Sequence, residues 1–236
     1  NIIKQNYKNN LDINKNFIVL ENVSFNYPNN SSIKPLKDVN MVVEKGDIVG
    51  IIGKTGAGKT TLMNIMTGLL TPSKGSIFFK NNNINNEKRE WIKNIGYVSQ
   101  NIFLIDESIE KNIAFNFNDE EIDRKKLNKA IEISKLSNKI KALPDGLQTR
   151  VGNDGMRVSG GEKQRIAIAR AIYKDPEILF FDEFTSAIDA KTEQEIIDEI
   201  EKNSNNKTII IIAHRSTTIS KCKNVWQLEN GVIKKV

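Results

Sequence analysis

The sequence predicts an α/β fold: a mainly parallel core sheet, an N-terminal antiparallel β subdomain and an inserted α-helical subdomain. Three observations carry that prediction. Apolar runs at residues 47–52, 177–181 and 207–213 have the length and continuity of strands buried on both faces, and each adjoins a stretch of helical periodicity. Ahead of them, residues 17–25 alternate as a half-buried strand does, and 39–43 and 76–79 add two short strands. Between the first and second apolar runs, residues 101–158 turn polar and helical.

In chain order, residues 1–16 are polar and aperiodic and read as a linker or lead-in, leaving 17–236 as the folded domain. The run 47–52 is stopped by Gly53 and followed by a glycine-rich turn, then by 59–70, whose apolar positions suit a helix. Within a helical subdomain over about residues 101–165, residues 119–137 form the clearest helix and 144–146 a turn. A helix over 161–173 leads into the strand at 177–181, and a helix over 191–201 into the strand at 207–213. Strands alternating with helices imply a parallel sheet with helices on its faces.

Composition narrows the function. With 236 residues and 39% hydrophobic side chains the chain can bury a substantial core without staples. A single cysteine, Cys222, forms no intrachain disulfide, and a single histidine excludes a zinc cluster built mainly of His and Cys. A reducing, cytosolic setting fits. No apolar run approaches the roughly 18 to 20 residues of a membrane-crossing helix. The chain begins at Asn1 with no secretory pattern and reads as a piece of something longer. The net charge of +6 is modest, and the lysines are scattered without a basic block interleaved with aromatics, so nucleic acid is not an expected partner.

Gly53-Lys54-Thr55-Gly56-Ala57-Gly58-Lys59-Thr60 matches GxxxxGK[ST] in full, between a predicted strand and a predicted helix. Glycines let the backbone close around phosphates so that several N–H groups face one anion, and the following helix adds the positive end of its dipole. Lys59 then reaches the β- and γ-phosphates, Thr60 binds Mg²⁺, and Thr61 completes the loop. Taken alone, the motif could be a glycine turn.

Residues 178–183 form an apolar strand ending in Asp182-Glu183, the form of a Walker B segment. Asp182 is placed to hold Mg²⁺ and Glu183 to polarise the attacking water as general base. An acidic pair after a strand is otherwise ordinary, and helix capping is its bland explanation.

Val158-Ser159-Gly160-Gly161-Glu162-Lys163-Gln164-Arg165 resembles the signature of ABC ATPases and lies between the phosphate loop and the acidic pair, in that family's order. The resemblance covers about residues 17–236. It implies a P-loop NTPase fold, ATP and Mg²⁺ as cofactors, ATPase activity, and a head-to-tail dimer in which Ser159, Gly160, Gly161 and Glu162 close over the nucleotide of a second domain. It further implies that Tyr27 stacks on adenine and that Gln100, in Tyr97-Val98-Ser99-Gln100, contacts the metal. Asp189, in Ser186-Ala187-Ile188-Asp189, resembles the D-loop residue at the dimer seam. His214, after the strand at 207–213, resembles the switch histidine that contacts the γ-phosphate.

Ser108-Ile109-Glu110-Lys111-Asn112-Ile113 and the stretch 143–155 resemble segments of exporter-type domains. That branch implies a transmembrane domain in the same polypeptide, with this domain on the cytoplasmic face of a membrane. Arg150 stands where exporters usually carry an acidic residue, Glu162 replaces the signature glutamine, Val158 its leucine, and Phe184 the small residue after the catalytic glutamate. The alternative is a soluble relative acting on nucleic acid or ribosomes, which the basic excess favours. The long coiled coils or tandem domains of such relatives do not occur here. A regulatory ATP-binding module without turnover is a third reading, opposed by Glu183 and His214.

Overall fold

A computed structural model describes residues 16–28, 35–116, 118–183, 187–203, 207–213 and 215–236. Strands β1 Asn16–Phe25, β2 Leu36–Glu44 and β3 Ile48–Ile52 precede helix α1 Lys59–Met66. Then come β4 Lys74–Phe79, β5 Asn82–Asn83, α2 Lys88–Lys93 and β6 Ile95–Val98. Helices α3 Ile109–Ala114, α4 Arg124–Ile133, α5 Ser137–Ala142 and α6 Gly160–Tyr173 lead to β7 Ile178–Asp182. The chain closes with α7 Ala190–Asn203, β8 Thr208–Ile212, α8 Ser216–Ile219, β9 Asn224–Glu229 and β10 Val232–Lys235. Two compact units divide it, one reaching Ile92 and including Cys222–Val236, the other Lys93–Lys221.

In the first unit an antiparallel sheet runs in the order β2-β1-β4-β5. Its register pairs Leu20 with Met41 and with Ile77, all buried, so the predicted alternation places one apolar face inward. Phe17 meets Phe79 edge-on at 5.0 Å, and Phe79 meets Trp91 at 4.9 Å. The Trp91 indole N–H donates to the Met66 carbonyl at 3.1 Å, fixing the end of α1. In the same unit β3 runs parallel to β9, and β9 turns into β10 through Asn230-Gly231, both at positive φ. Buried Asp47 accepts from Lys223 at 2.7 Å and from Asn224 at 2.8 Å, pinning β9 beside β3 just before the phosphate loop.

In the second unit β6, β7 and β8 are parallel, with β7 central. Every residue of β7 and β8 is buried, as the apolar runs 178–181 and 209–212 require of strands covered on both faces. Helix α6 packs against β6, α3 and α4.

Two predicted helices are corrected. The helix expected over 59–70 ends at Met66, where Thr67 caps it and Gly68 takes φ +78°. The helix expected over 119–137 is broken: Asp123 caps α4 by accepting from the Lys125 and Lys126 N–H groups, and Lys135 at φ +57° ends that helix before α5 begins. Strands β6, β9 and β10 and the short helices α2, α3 and α8 are additions to the predicted set.

Candidate functional site

The phosphate loop lies between β3 and α1 in the first unit. Gly58 has φ +100°, and a Cβ there would sit 2.6 Å from the Pro35 carbonyl oxygen; at Gly53 a Cβ would sit 2.3 Å from the Leu228 oxygen. Only glycine fits either position. Helix α1 starts from Gly58 with no side-chain cap and no acidic residue in its first turn. Its leading N–H groups, which have no intrahelical acceptor, are therefore left for an anion. Lys59 is buried, and its ammonium donates to the carbonyls of Gly53 at 2.9 Å and Lys54 at 3.1 Å. This folds the lysine over the loop and aims its charge at the cradle.

Lys54, Thr55, Gly56 and Ala57 border a cavity of about 470 Å³ shared with Pro35, Lys37 and the β9–β10 turn. Thr60 is exposed at the start of α1 and offers a hydroxyl oxygen, whereas Thr61 is buried and bonded to the Tyr27 hydroxyl at 3.0 Å. Tyr27, partly exposed, meets Phe25 edge-on at 5.0 Å, so its ring is held beside α1.

In the second unit the carboxyl end of β7 carries Asp182, 1% exposed, and then Glu183. Glu183 takes φ +48°, a left-handed conformation that is strained for a residue with a Cβ. Parallel pairing sets Val98 opposite Phe181, so Gln100 and Glu183 each stand two residues beyond that pair. Gln100 Nε2 donates to Glu183 Oε2 at 2.8 Å.

Tyr97 pairs with Phe180, which puts it on the face that also carries Asp182 two residues on. Burial first, then the charge and nearness of the Asp182 carboxylate, pushes the Tyr97 phenol above the ordinary tyrosine range. Sequence reasoning missed this partner, since one tyrosine in a four-residue strand carries no sign of what lies across from it.

Helix α6 opens on a capping box. The Ser159 hydroxyl accepts from the Glu162 N–H at 3.3 Å, and Glu162 accepts from the Ser159 N–H at 3.0 Å. Glu162 also pairs with Lys139 at 3.0 Å, a partner that sequence did not reveal. The two glycines allow a close approach: a Cβ on Gly161 would sit 2.9 Å from the Ala187 carbonyl oxygen, and one on Gly160 3.2 Å from the Ala187 side chain. Gln164 completes the junction by accepting from the Ala187 N–H at 3.1 Å.

Asp189 is drawn into capping α7, accepting from the Thr192 N–H at 2.9 Å. Thr192 bonds hold its pKa below the ordinary carboxyl range. His214, Ser186 and Phe184 lie outside the described residues. Beside that histidine in sequence, Arg215 donates to the Ile188 carbonyl and to buried Glu193, both at 2.9 Å, tying the end of β8 to the 187–189 stretch.

The hydroxyl, carboxylate and carboxamide oxygens of Thr60, Asp182 and Gln100 are hard donors of the kind that suit Mg²⁺, which usually keeps its remaining positions for phosphate and water. The α1 cradle with Lys59 suits a polyphosphate, and the Gln100–Glu183 pair suits orienting a water.

Residues 36–186 match the family described as ABC transporter. A sophorolipid transporter of Starmerella bombicola is 37% identical over 222 residues, 91% of this chain and 17% of that protein. An ATP-dependent lipid A-core flippase of Cupriavidus pinatubonensis is 36% identical over 92% of this chain and 37% of its own length. A probable multidrug resistance ABC transporter ATP-binding/permease protein of Bacillus subtilis is 40% identical over the same shares. The structure of a bacterial Atm1-family ABC exporter with ATP bound superposes with a TM-score of 0.86 at 33% identity, over 93% of this chain and 38% of that one. The chain thus spans well under half the length of these relatives.

Proposed function

The chain belongs to the ABC transporter family as an ATPase domain of its exporter and flippase branch, and from that premise we propose that it drives transport by closing head-to-tail on a second such domain around two Mg-ATP. The observation that carries the chemistry is the 2.8 Å contact between Gln100 and Glu183 at the end of a buried strand. The Glu183 carboxylate takes a proton from the attacking water, and the Gln100 amide holds that carboxylate in place.

The loop from Gly53 to Thr61 binds the phosphates, with Lys59 carrying the countercharge, and Tyr27 stacks on the base. Thr60, Asp182 and Gln100 would hold Mg²⁺, which when bound neutralises charge on the phosphate oxygens. His214 contacts the γ-phosphate. Ser159, Gly160, Gly161, Glu162 and Asp189 face the nucleotide of the second domain. Among the described residues no helix is long and apolar enough to cross a membrane. The transmembrane part belongs to the same polypeptide, with this domain at the cytoplasmic face.

The test is Glu183→Gln. Hydrolysis should fall by about 10²-fold or more, while ATP still drives the chain into a dimer on a sizing column. Turnover at the parent rate removes Glu183 as the base. A variant that is monomeric at saturating ATP removes the closing step.

A further inference from the structure

The second unit holds a cavity of about 200 Å³ at the opposite end of β7 from Asp182. Leu179 of β7, Ile172 of α6, Ile200 of α7 and Ile133 of α4 form its apolar floor, and each is buried. Lys125, Lys126 and Lys129 of α4, with Lys207 ahead of β8, stand at its mouth. A strand of five residues, about 16 Å long, separates this mouth from the hydrolytic end of β7.

Two features set the lysines apart from an ordinary solvated face. First, α4 opens on Arg124-Lys125-Lys126 with no acidic residue in its first turn, at the end of a helix where positive charge is unfavourable. Arg124 is neutralised by buried Glu110. Among the described residues no ion pair or hydrogen bond engages the ammonium groups of Lys125, Lys126 or Lys129.

Second, Asp175, the carboxylate at the mouth, is already taken by Lys207 at 2.7 Å. Lys207 chiefly, with the charges of Lys129 and Lys126, draws its pKa below the ordinary carboxyl range, and those two ammoniums line the opening. Tyr173 forms the wall, fixed by accepting from the Asp123 N–H at 2.9 Å. The mouth therefore keeps three ammonium groups that make no ion pair or hydrogen bond among the described residues, over an apolar floor.

We propose that this pocket binds a small anionic amphiphile, a carboxylate whose apolar tail lies on the isoleucine and leucine floor and whose head sits among Lys125, Lys126 and Lys129. Size limits the tail. A cavity of roughly 150 Å³ accepts benzene, so this one, at about 200 Å³, accommodates about eight carbons of the tail. The site stands independently of the ATPase chemistry, although α6, which forms part of the floor, is capped by Ser159.

The experiment is calorimetric titration of the 236-residue chain with octanoate, with 1-octanol and acetate as controls for tail and head. Octanoate should bind one to one with Kd below about 1 mM, and each control at least tenfold more weakly. In Lys126→Gln/Lys129→Gln, which alters exposed side chains only and is checked for folding by circular dichroism, octanoate affinity should fall at least fivefold. Absence of saturable octanoate binding overturns the proposal, as does equal binding by the folded double variant or by octanol.

Discussion

Gln100 donates a 2.8 Å hydrogen bond to Glu183 across 83 positions of sequence, because parallel pairing of β6 with β7 brings both residues to the same level past the strand ends. The contact fixes a carboxylate that already sits in a strained backbone conformation at φ +48°. Gln100→Ala should lower kcat for ATP about 10- to 100-fold, with KM changed by less than about threefold, since the interaction serves the chemical step and not binding. In a Glu183→Gln background the same change should add little, because the two residues act together. Steady-state ATPase rates of the four proteins decide it, and fully additive losses would disprove the coupling.

Gly58→Ala and Gly56→Ala separate strain from collision in the phosphate loop. Both glycines have positive φ, +100° and +80°, but a Cβ at Gly56 meets nothing within 4 Å whereas one at Gly58 lies 2.6 Å from the Pro35 carbonyl. Gly56→Ala should cost about 1 kcal/mol of stability, and Gly58→Ala about 2 to 3 kcal/mol or more as the backbone shifts. ATP affinity should follow the same order. Denaturant melts and nucleotide titrations check this, and equal effects at the two positions would contradict the collision.

What the sequence revealed follows from what each signal depends on. The phosphate loop and strands β3, β7 and β8 were legible because a glycine pattern and unbroken apolar runs are local. Strand β6 was not, since Ile95–Val98 is four residues long and gains its identity only by pairing with β7. The broken helix at 119–137 looked continuous because periodicity does not register one left-handed residue, Lys135. The identities of Gln100 and Glu183 came from motifs, while their contact and the Tyr97–Asp182 and Lys139–Glu162 partnerships depend on tertiary register.

Glu162, where a glutamine was expected, predicts a pH-dependent contribution. Burial opposes its charge. The Lys139 hydrogen bond, the Ser159 N–H and the Lys139 and Arg165 charges outweigh burial, leaving the carboxyl below its ordinary 4.5. A depressed folded value stabilises the protein above pH 4.5, and that contribution is lost as pH falls through the folded value. Glu162→Gln keeps a side chain able to complete the capping box but loses the ion pair. The parent should therefore exceed the variant by a few tenths to about 1 kcal/mol at pH 7, with the gap closing as pH falls below the ordinary 4.5 and through the lower folded value. Urea melts at pH 7 and at a series of pH values below 4.5 measure it, and a gap that does not change with pH assigns the effect to packing.

Tyr97 is the residue through which the site can be tested without touching a proposed ligand. Its ring lies on the Phe180 face of β6 and β7, and its phenol lies near Asp182, the carboxylate proposed for Mg²⁺. Tyr97→Phe keeps the ring and removes only the hydroxyl, so stability should fall by about 1 kcal/mol. Without the hydroxyl Asp182 loses a polar neighbour positioned to orient it, and loss of such an outer partner typically weakens metal affinity about tenfold or more. The Mg²⁺ concentration giving half-maximal ATPase activity should accordingly rise about tenfold, and saturating Mg²⁺ should restore most of the rate. A purely packing role for Tyr97 predicts the opposite pattern: a lower melting temperature with the Mg²⁺ requirement unchanged.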